Sequence, residues 1–212
     1  SHHRCGAHEP TLLRLPNLDE IKSLLDIGHG AIAMVTIAPE LPGAIEVIKY
    51  LEKNRIIAAI GHTDGDANDA AAAIDAGASV VTHFTNAMSK LSDGKDSFAQ
   101  RVLDDPRINL ELIVDGVHIS LAQVAGIFEK APNRIILISD AMSAAGNPDG
   151  DYKIGSLDVE VRQSVARLKS NGALAGSTLT LTRAAENAMR AGVPKVLVDH
   201  ATTSAPMALL LH

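Results

Sequence analysis

Five apolar runs, alternating with stretches of helical periodicity, constrain this chain more than any other feature. The runs are residues 31–38, 55–61, 79–84, 108–114 and 134–139. Between them Ala44, Val47, Ile48 and Leu51, then Ala67, Ala70, Ala71 and Ile74, recur at spacings that place them on one helix face. A short helix is expected near 97–104. Leu121, Val124, Ala125 and Phe128 mark another behind a Ser120/Gln123 capping box, and Asn17-Leu18-Asp19-Glu20 reads as a further helix start. Strands apolar on both faces and alternating with helices belong to a parallel sheet, so the fold class is α/β. The candidates are an open doubly wound sheet and a closed (β/α)8 barrel of the TIM type. No G-x-G-x-x-G opens a helix, which argues against a dinucleotide site. A barrel needs eight strands and this chain has about five, so residues 1–212 are expected to be part of a larger polypeptide. Beyond Gly150 the period shortens to two over 152–175, with turn signals at Gly155 and Asn171-Gly172. A helix is then expected from about Thr178 to Gly192.

Composition narrows the partners. With 46% hydrophobic and 21% charged residues, the chain has enough apolar surface to offset the entropy of ordering. No run approaches the ~20 apolar residues of a membrane span. A net charge of −6 with no dense Lys/Arg cluster argues against nucleic acid. There is no Trp, and Tyr and Phe are few, so large aromatic ligand cages are not expected. Cys5 is the single cysteine, cannot form an internal disulfide, and reads as an inert exposed thiol.

The ionisable residues carry the functional signal. His62 follows the second run, His83 ends the third, Asp115 and His118 follow the fourth, and Asp140 follows the fifth. In parallel α/β architectures the active site lies at the carboxyl ends of the strands. One such histidine is ordinarily a hydrogen-bonded structural group; the same placement on four successive strands is not. Neutral imidazoles and carboxylates are ligands of zinc and similar metals, so His62 and His83 are expected to share one ion. Asp140 is placed to relay a proton from the attacking water, which points to hydrolysis of an unspecified substrate. Thr63 or Asp64 is read as a helix N-cap, Glu40 as a helix-start charge, and Gly176-Ser177-Thr178 as a helix opening. Met34, Met88 and Met142 are read as core or rim packing.

Seven segments occur in an order that carries a family resemblance. They are Gly6-Ala7-His8-Glu9-Pro10, Thr36 to Glu40, Gly61-His62-Thr63, Thr82 to Met88, Asp115-Gly116-Val117-His118, Ser139 to Met142, and Leu174-Ala175-Gly176-Ser177. Together they resemble the N-acetylglucosamine-6-phosphate deacetylase family of the amidohydrolase superfamily, over nearly the whole chain. The resemblance implies a (β/α)8 barrel that removes acetate from N-acetylglucosamine 6-phosphate. It makes His62 and His83 metal ligands and Asp140 the proton carrier. It implies a divalent metal, zinc first, with iron, manganese or cobalt as alternatives and one or two ions held. His8 contacts substrate and polarises its carbonyl; Ala7, Asn86, Ala87, His118 and the loop Leu174, Ala175, Gly176 match substrate contacts. Where the family places a phosphate-binding arginine, this chain offers Lys95 or Lys90, point charges without the bidentate fork. The family's third ligand is a glutamate in a Glu-Gly-Pro motif preceding the Gly-Ala-His segment, ahead of Ser1. The first barrel strands and the family's small β-domain are likewise expected outside this chain. A homodimer and a cytoplasmic setting follow from the resemblance. The alternatives are an amidohydrolase of another N-acyl sugar or a cyclic amide, or a silent fragment that binds a sugar phosphate.

Overall fold

In the computed structural model, which describes residues 1–211, five strands form one sheet in chain order, every neighbouring pair parallel. They are β1 (Met34–Ile37), β2 (Ile57–Ile60), β3 (Val80–Val81), β4 (Asn109–Ile113) and β5 (Ile135–Ile138). Helix α1 (Leu18–Gly28) precedes them, and α2 (Ala44–Lys53), α3 (Ala67–Asp75), α4 (Phe98–Asp104) and α5 (Leu121–Lys130) fill the four connections. A strand order that never reverses is the progression of a barrel wall, whereas a doubly wound sheet has a switch point.

The helices pack on one face because their apolar stripes match the strand period. Val47, Ile48 and Leu51 of α2 are fully buried, in one cluster with Ile60, Val81, Leu110, Leu112, Ile135 and Leu137. The alternate strand residues point to the other face, where Thr36, Ala59, Thr82 and Glu111 lie. Glycine is required at two helix boundaries. A Cβ at Gly43, where α2 begins, would stand 2.5 Å from the Pro16 carbonyl oxygen, and one at Gly77 would stand 2.5 Å from Glu52 Cγ.

The apolar runs are longer than the strands they make. Only Met34–Ile37 of 31–38 pairs, as an edge strand with Met34 39% exposed, and 79–84 contracts to two paired residues before the chain turns at His83. The Ser120 capping box does not form: the hydroxyl donates to Gln123 Oε1 at 2.8 Å and caps no amide. Helix α3 is capped by neither Thr63 nor Asp64. Asp66 accepts from the Asn68 and Asp69 amides, and Asp69 returns the bond to Asp66 N.

After β5 the chain makes an antiparallel excursion, β6 (Gly150–Ile154), β7 (Leu157–Arg162) and β8 (Val165–Leu168). Its own apolar cluster holds Val159, Val161, Ala166, Leu168, Ala144 and Ala175. The β7–β8 turn, Gln163-Ser164, has both residues left-handed without a glycine, and the Asp149 carboxylate accepts both of their amides. Gly176 to Thr178 opens no helix; α6 (Leu181–Arg190) starts later, capped by Thr180. A second helical segment, unforeseen, runs from α7 (Lys195–Asp199) through a π turn (His200–Ser204) into α8 (Ala205–Leu210). Pro206 has no amide for the carbonyl four residues back, which accounts for the widened turn. Among the described residues no helix is long and apolar enough to cross a membrane.

Candidate active site

His62, His83 and Asp140 share a backbone state as well as a position. Each follows a parallel strand, and each is left-handed, with φ of 49°, 34° and 48°. That region costs an ordinary L-residue about 1–3 kcal/mol and persists only where the surroundings over-determine it. Three such residues stand at the carboxyl ends of three strands, which makes this rim the candidate site. The turns are built tightly: a Cβ at Gly61 would stand 3.1 Å from Thr82 Cβ, and one at Gly6 would stand 3.1 Å from the His62 ring.

The imidazoles of His62 and His83 face one another, Nε2 to Nε2, at 2.9 Å. His62 Nδ1 is 2.7 Å from the Arg4 carbonyl oxygen, which can only accept, so Nδ1 carries the proton and Nε2 presents its lone pair. His83 Nε2 must then donate to it, which leaves His83 Nδ1 bare, buried and without a partner. Burial depresses the His62 pKa to about 4, reinforced by His83 and His8 and opposed by the Arg4 carbonyl. Burial also lowers His83, against the pull of the Asp140 charge. Both rings are therefore neutral at pH 7, the form that binds metals. Two Zn–N bonds of about 2.0–2.1 Å at a tetrahedral angle separate their nitrogens by about 3.4 Å, so to share an ion the pair must open by about 0.5 Å and the His83 proton must move from Nε2 to the bare Nδ1. Among the described residues no group of three or more His, Cys, Asp or Glu side chains is disposed to hold a metal. The pair fits two positions of such a site and no more.

A cleft of about 680 Å³ lies against this pair, with Asp140, His8, Ala7, Asn86, Ala87, Leu174 and Gly176 in its wall. A second cleft of about 500 Å³ shares His8, His62, His83 and Asp140. Three expected contacts fall elsewhere. Ala175 is fully buried in the cluster of the small sheet, its amide spent on Ala166 O. Lys95 is exposed on the loop after β3 and lines neither cleft, and Lys90 lines neither as well. His118 turns inward: its Nδ1 is 2.7 Å from Asp115 Oδ2, and its Nε2 is buried without a partner. Burial pushes the Asp115 carboxyl up, but the bonds from the His118 ring and from the His118 and Val117 amides hold it below the usual range. Conversely, His3, Arg4 and Lys153 line the larger cleft and were not expected there. Arg4 stands four residues before His8 and could have been suspected; Lys153 sits on a distant strand with no local signal. Cys5 is half-buried and lines the smaller cleft, not fully exposed. Glu40 is not a helix-start charge, since its carboxylate accepts from Thr63 Oγ1 at 2.6 Å and the Asp64 amide at 2.9 Å.

Neutral histidines and a carboxylate at the carboxyl ends of a parallel barrel-type wall define a class, the amidohydrolase-like α/β proteins. Comparison with known proteins gives the family. The chain is 35% identical over 206 residues to N-acetylgalactosamine-6-phosphate deacetylase of Escherichia coli O157:H7, covering 97% of this chain and 54% of that protein. It is 37% identical over 185 residues to N-acetylglucosamine-6-phosphate deacetylase of Bacillus subtilis, covering 87% and 46%. A Mycobacterium smegmatis N-acetyl-D-glucosamine-6-phosphate deacetylase variant, solved in complex with N-acetyl-D-glucosamine-6-phosphate, superposes with a TM-score of 0.94 at 40% identity, over 99% of this chain and 57% of that one. No family model matches the chain. The chain is a homologue of the N-acetylglucosamine-6-phosphate deacetylase family, and it spans about half the length of the curated relatives it matches.

Proposed function

We propose that the chain carries the metal- and proton-handling part of a deacetylase that converts N-acetylglucosamine 6-phosphate and water to glucosamine 6-phosphate and acetate. The observation that carries this reading is the facing of two neutral imidazoles at 2.9 Å in one cleft with Asp140. In this reading the five parallel strands are part of an eight-stranded barrel, and the third metal ligand comes from the share of the family's length that this chain does not span. His62 and His83 hold a divalent cation, zinc by preference of two imidazoles, with iron, manganese or cobalt as alternatives. The cation supplies Lewis acidity and a nucleophile active at neutral pH.

Asp140 takes a proton from the water that attacks the acetyl carbonyl and returns it to the departing amine nitrogen as the C–N bond breaks. His8 packs edge-on against the His62 ring, centroids 4.6 Å apart, where it can polarise the acetyl carbonyl. Asn86, Ala87, Leu174 and Gly176 shape the sugar site. Arg4 and Lys153 line the cleft wall, each paired to a carboxylate (Asp64 at 2.9 Å, Asp158 at 2.8 Å), and are proposed to meet the phosphate in place of Lys95 with the donors those pairs leave over. A homodimer and a cytoplasmic setting belong to the same reading.

The test is acetate release from N-acetylglucosamine 6-phosphate with Zn²⁺, for this chain and for the intact polypeptide, each beside its Asp140→Asn variant. Release that the variant lacks supports the reading; no release by the intact polypeptide sinks it. A second reading takes the C4 epimer, N-acetylgalactosamine 6-phosphate, as substrate, because the Escherichia coli relative that covers 97% of this chain carries that name. Relative kcat/KM on the two epimers decides between them.

A further inference from the structure

We infer that Glu40 is a positioning residue for His62, acting on the backbone while Arg4 acts on the ring; the inference rests on His62 being a metal ligand, as proposed above. His62 is held in a left-handed conformation, so something must prevent the residues after it from relaxing to an ordinary turn. The loop that follows β1 supplies the restraint. Glu40 reaches across to accept the Thr63 hydroxyl at 2.6 Å and the Asp64 amide at 2.9 Å, both immediately after His62. Thr63 is fully buried, its hydroxyl also accepts the Gly65 amide at 3.0 Å, and its own amide donates to Ala87 O at 3.1 Å. The turn is thus tied to the loop after β1 on one side and the loop after β3 on the other.

The ring is held from a third direction. The turn Ser1–His8 lies against His62, with the Arg4 carbonyl on Nδ1 and no room for a side chain at Gly6 beside the ring. Arg4 Nε is in turn bonded to Asp64 Oδ1 at 2.9 Å. Asp64 is therefore shared: Glu40 holds its amide and Arg4 holds its carboxylate. Loosening Glu40 frees the residue that anchors Arg4, and with it the carbonyl that keeps the His62 proton on Nδ1. A hydrogen-bond partner on the outer nitrogen fixes the tautomer of a ligating histidine, and loss of such a partner typically costs 10–100-fold in metal affinity. Here the partner is a main-chain carbonyl, so the side chain that controls it is one step removed.

The experiment compares Glu40→Ala, Glu40→Gln and the isosteric Thr63→Val, using two readouts. In metal-free protein, long-range ¹H–¹⁵N spectra report which His62 nitrogen is protonated; Co²⁺ titration reports affinity. Wild type and Glu40→Gln are expected to keep the Nδ1–H form, because the amide retains an acceptor for Asp64 N and a partner for Thr63. Glu40→Ala is expected to lose that form and to bind Co²⁺ about tenfold more weakly, with Thr63→Val intermediate. An unchanged tautomer and affinity in Glu40→Ala overturn the inference, as do equal losses in Glu40→Ala and Glu40→Gln. If Glu40→Ala does not fold, unchanged readouts in Thr63→Val overturn it. A wild-type chain and an intact polypeptide that bind no Co²⁺ refute the metal reading of His62, while the metal-free tautomer still judges the Glu40 restraint separately.

Discussion

The two ends of the parallel sheet are built to opposite specifications. At the carboxyl end, His62, His83, Thr85, Ala87 and Asp140 are left-handed, burial lowers the pKa of two imidazoles, and two buried ring nitrogens have no partner. At the amino end the charged groups that precede β4 and β5 are paired. Arg107, just before β4, grips Asp105 with Nε and Nη2 at 2.9 and 2.8 Å and Asp75 with Nη1 at 2.8 Å. Asp105 also receives Arg101 at 3.1 Å, and Arg134, just before β5, donates to the Ile108 and Leu103 carbonyls. The first end holds strained and unsatisfied groups in readiness; the second satisfies its groups and supports the scaffold. In the proposed reading, catalysis and stability fall to different ends of the same strands.

Four experiments sharpen or break that contrast, taken from the largest expected effect to the smallest. Asp140→Asn should lower acetate release by about 10²–10⁴-fold, the range of a lost general acid–base, with little change in urea midpoint. A comparable loss of substrate affinity would instead give Asp140 a binding role. Asp105→Ala should do the reverse, costing about 2–4 kcal/mol in urea unfolding because it strands a network of arginines, while Co²⁺ affinity stays at the wild-type value. If that affinity falls too, the two ends are coupled.

Acid should dismantle the two ends in sequence. Burial holds the His62 pKa at about 4, against 6.5 for an ordinary histidine, so its contribution to metal-free stability is full above 6.5 and is lost as pH falls from there to about 4. The Arg107 guanidinium holds Asp105 at about 2, so its contribution is full above the ordinary carboxylate value of 3.8 and is lost as pH falls toward 2. Urea midpoints across pH should show an upper step of about 1–2 kcal/mol that His62→Asn removes, and a lower step that only Asp105 variants remove. The smallest effect has the opposite sign. Burial raises Glu111 to about 7, aided by the Asp140 charge and opposed by the His83 amide. Its contribution is full below 4.5 and is lost as pH rises through 7, so Glu111→Gln should stabilise the metal-free chain by about 1 kcal/mol at pH 8. Destabilisation there would mean that the carboxylate, once charged, has a partner.

Much of the carboxyl end was legible in the sequence because a buried strand announces itself by composition and its last polar residue stands out against it. His62, His83 and Asp140 are singled out this way and line one cleft in the structure, and the parallel order follows from the alternation of apolar runs with helical stripes. What was not legible depended on which way a side chain turns once the chain has folded. His118 and Asp115 follow β4 as neatly as His83 follows β3, yet they bond to one another and line neither cleft. Glu40 sits one residue after a proline in what reads as a helix start, and nothing local reveals that its partners lie 23 residues on. Ser120 and Gln123 satisfy the spacing of a capping box but spend their polar atoms on each other. Lys95 has the right charge in the right segment and points to solvent, whereas Lys153 reaches the cleft from a strand that alternation alone assigns to a separate layer.

The left-handed turns at 62, 83 and 140 also bear on how the sequence can drift. Glycine and asparagine are the residues that enter this backbone region most readily. A lineage relieved of its chemistry would relax the strain by adopting them at those three positions while leaving Gly61, the helix stripes and the Asp105 network untouched. Asparagine or glycine at all three, on an otherwise intact wall, is thus the expected signature of a relative that has kept the architecture and given up the reaction.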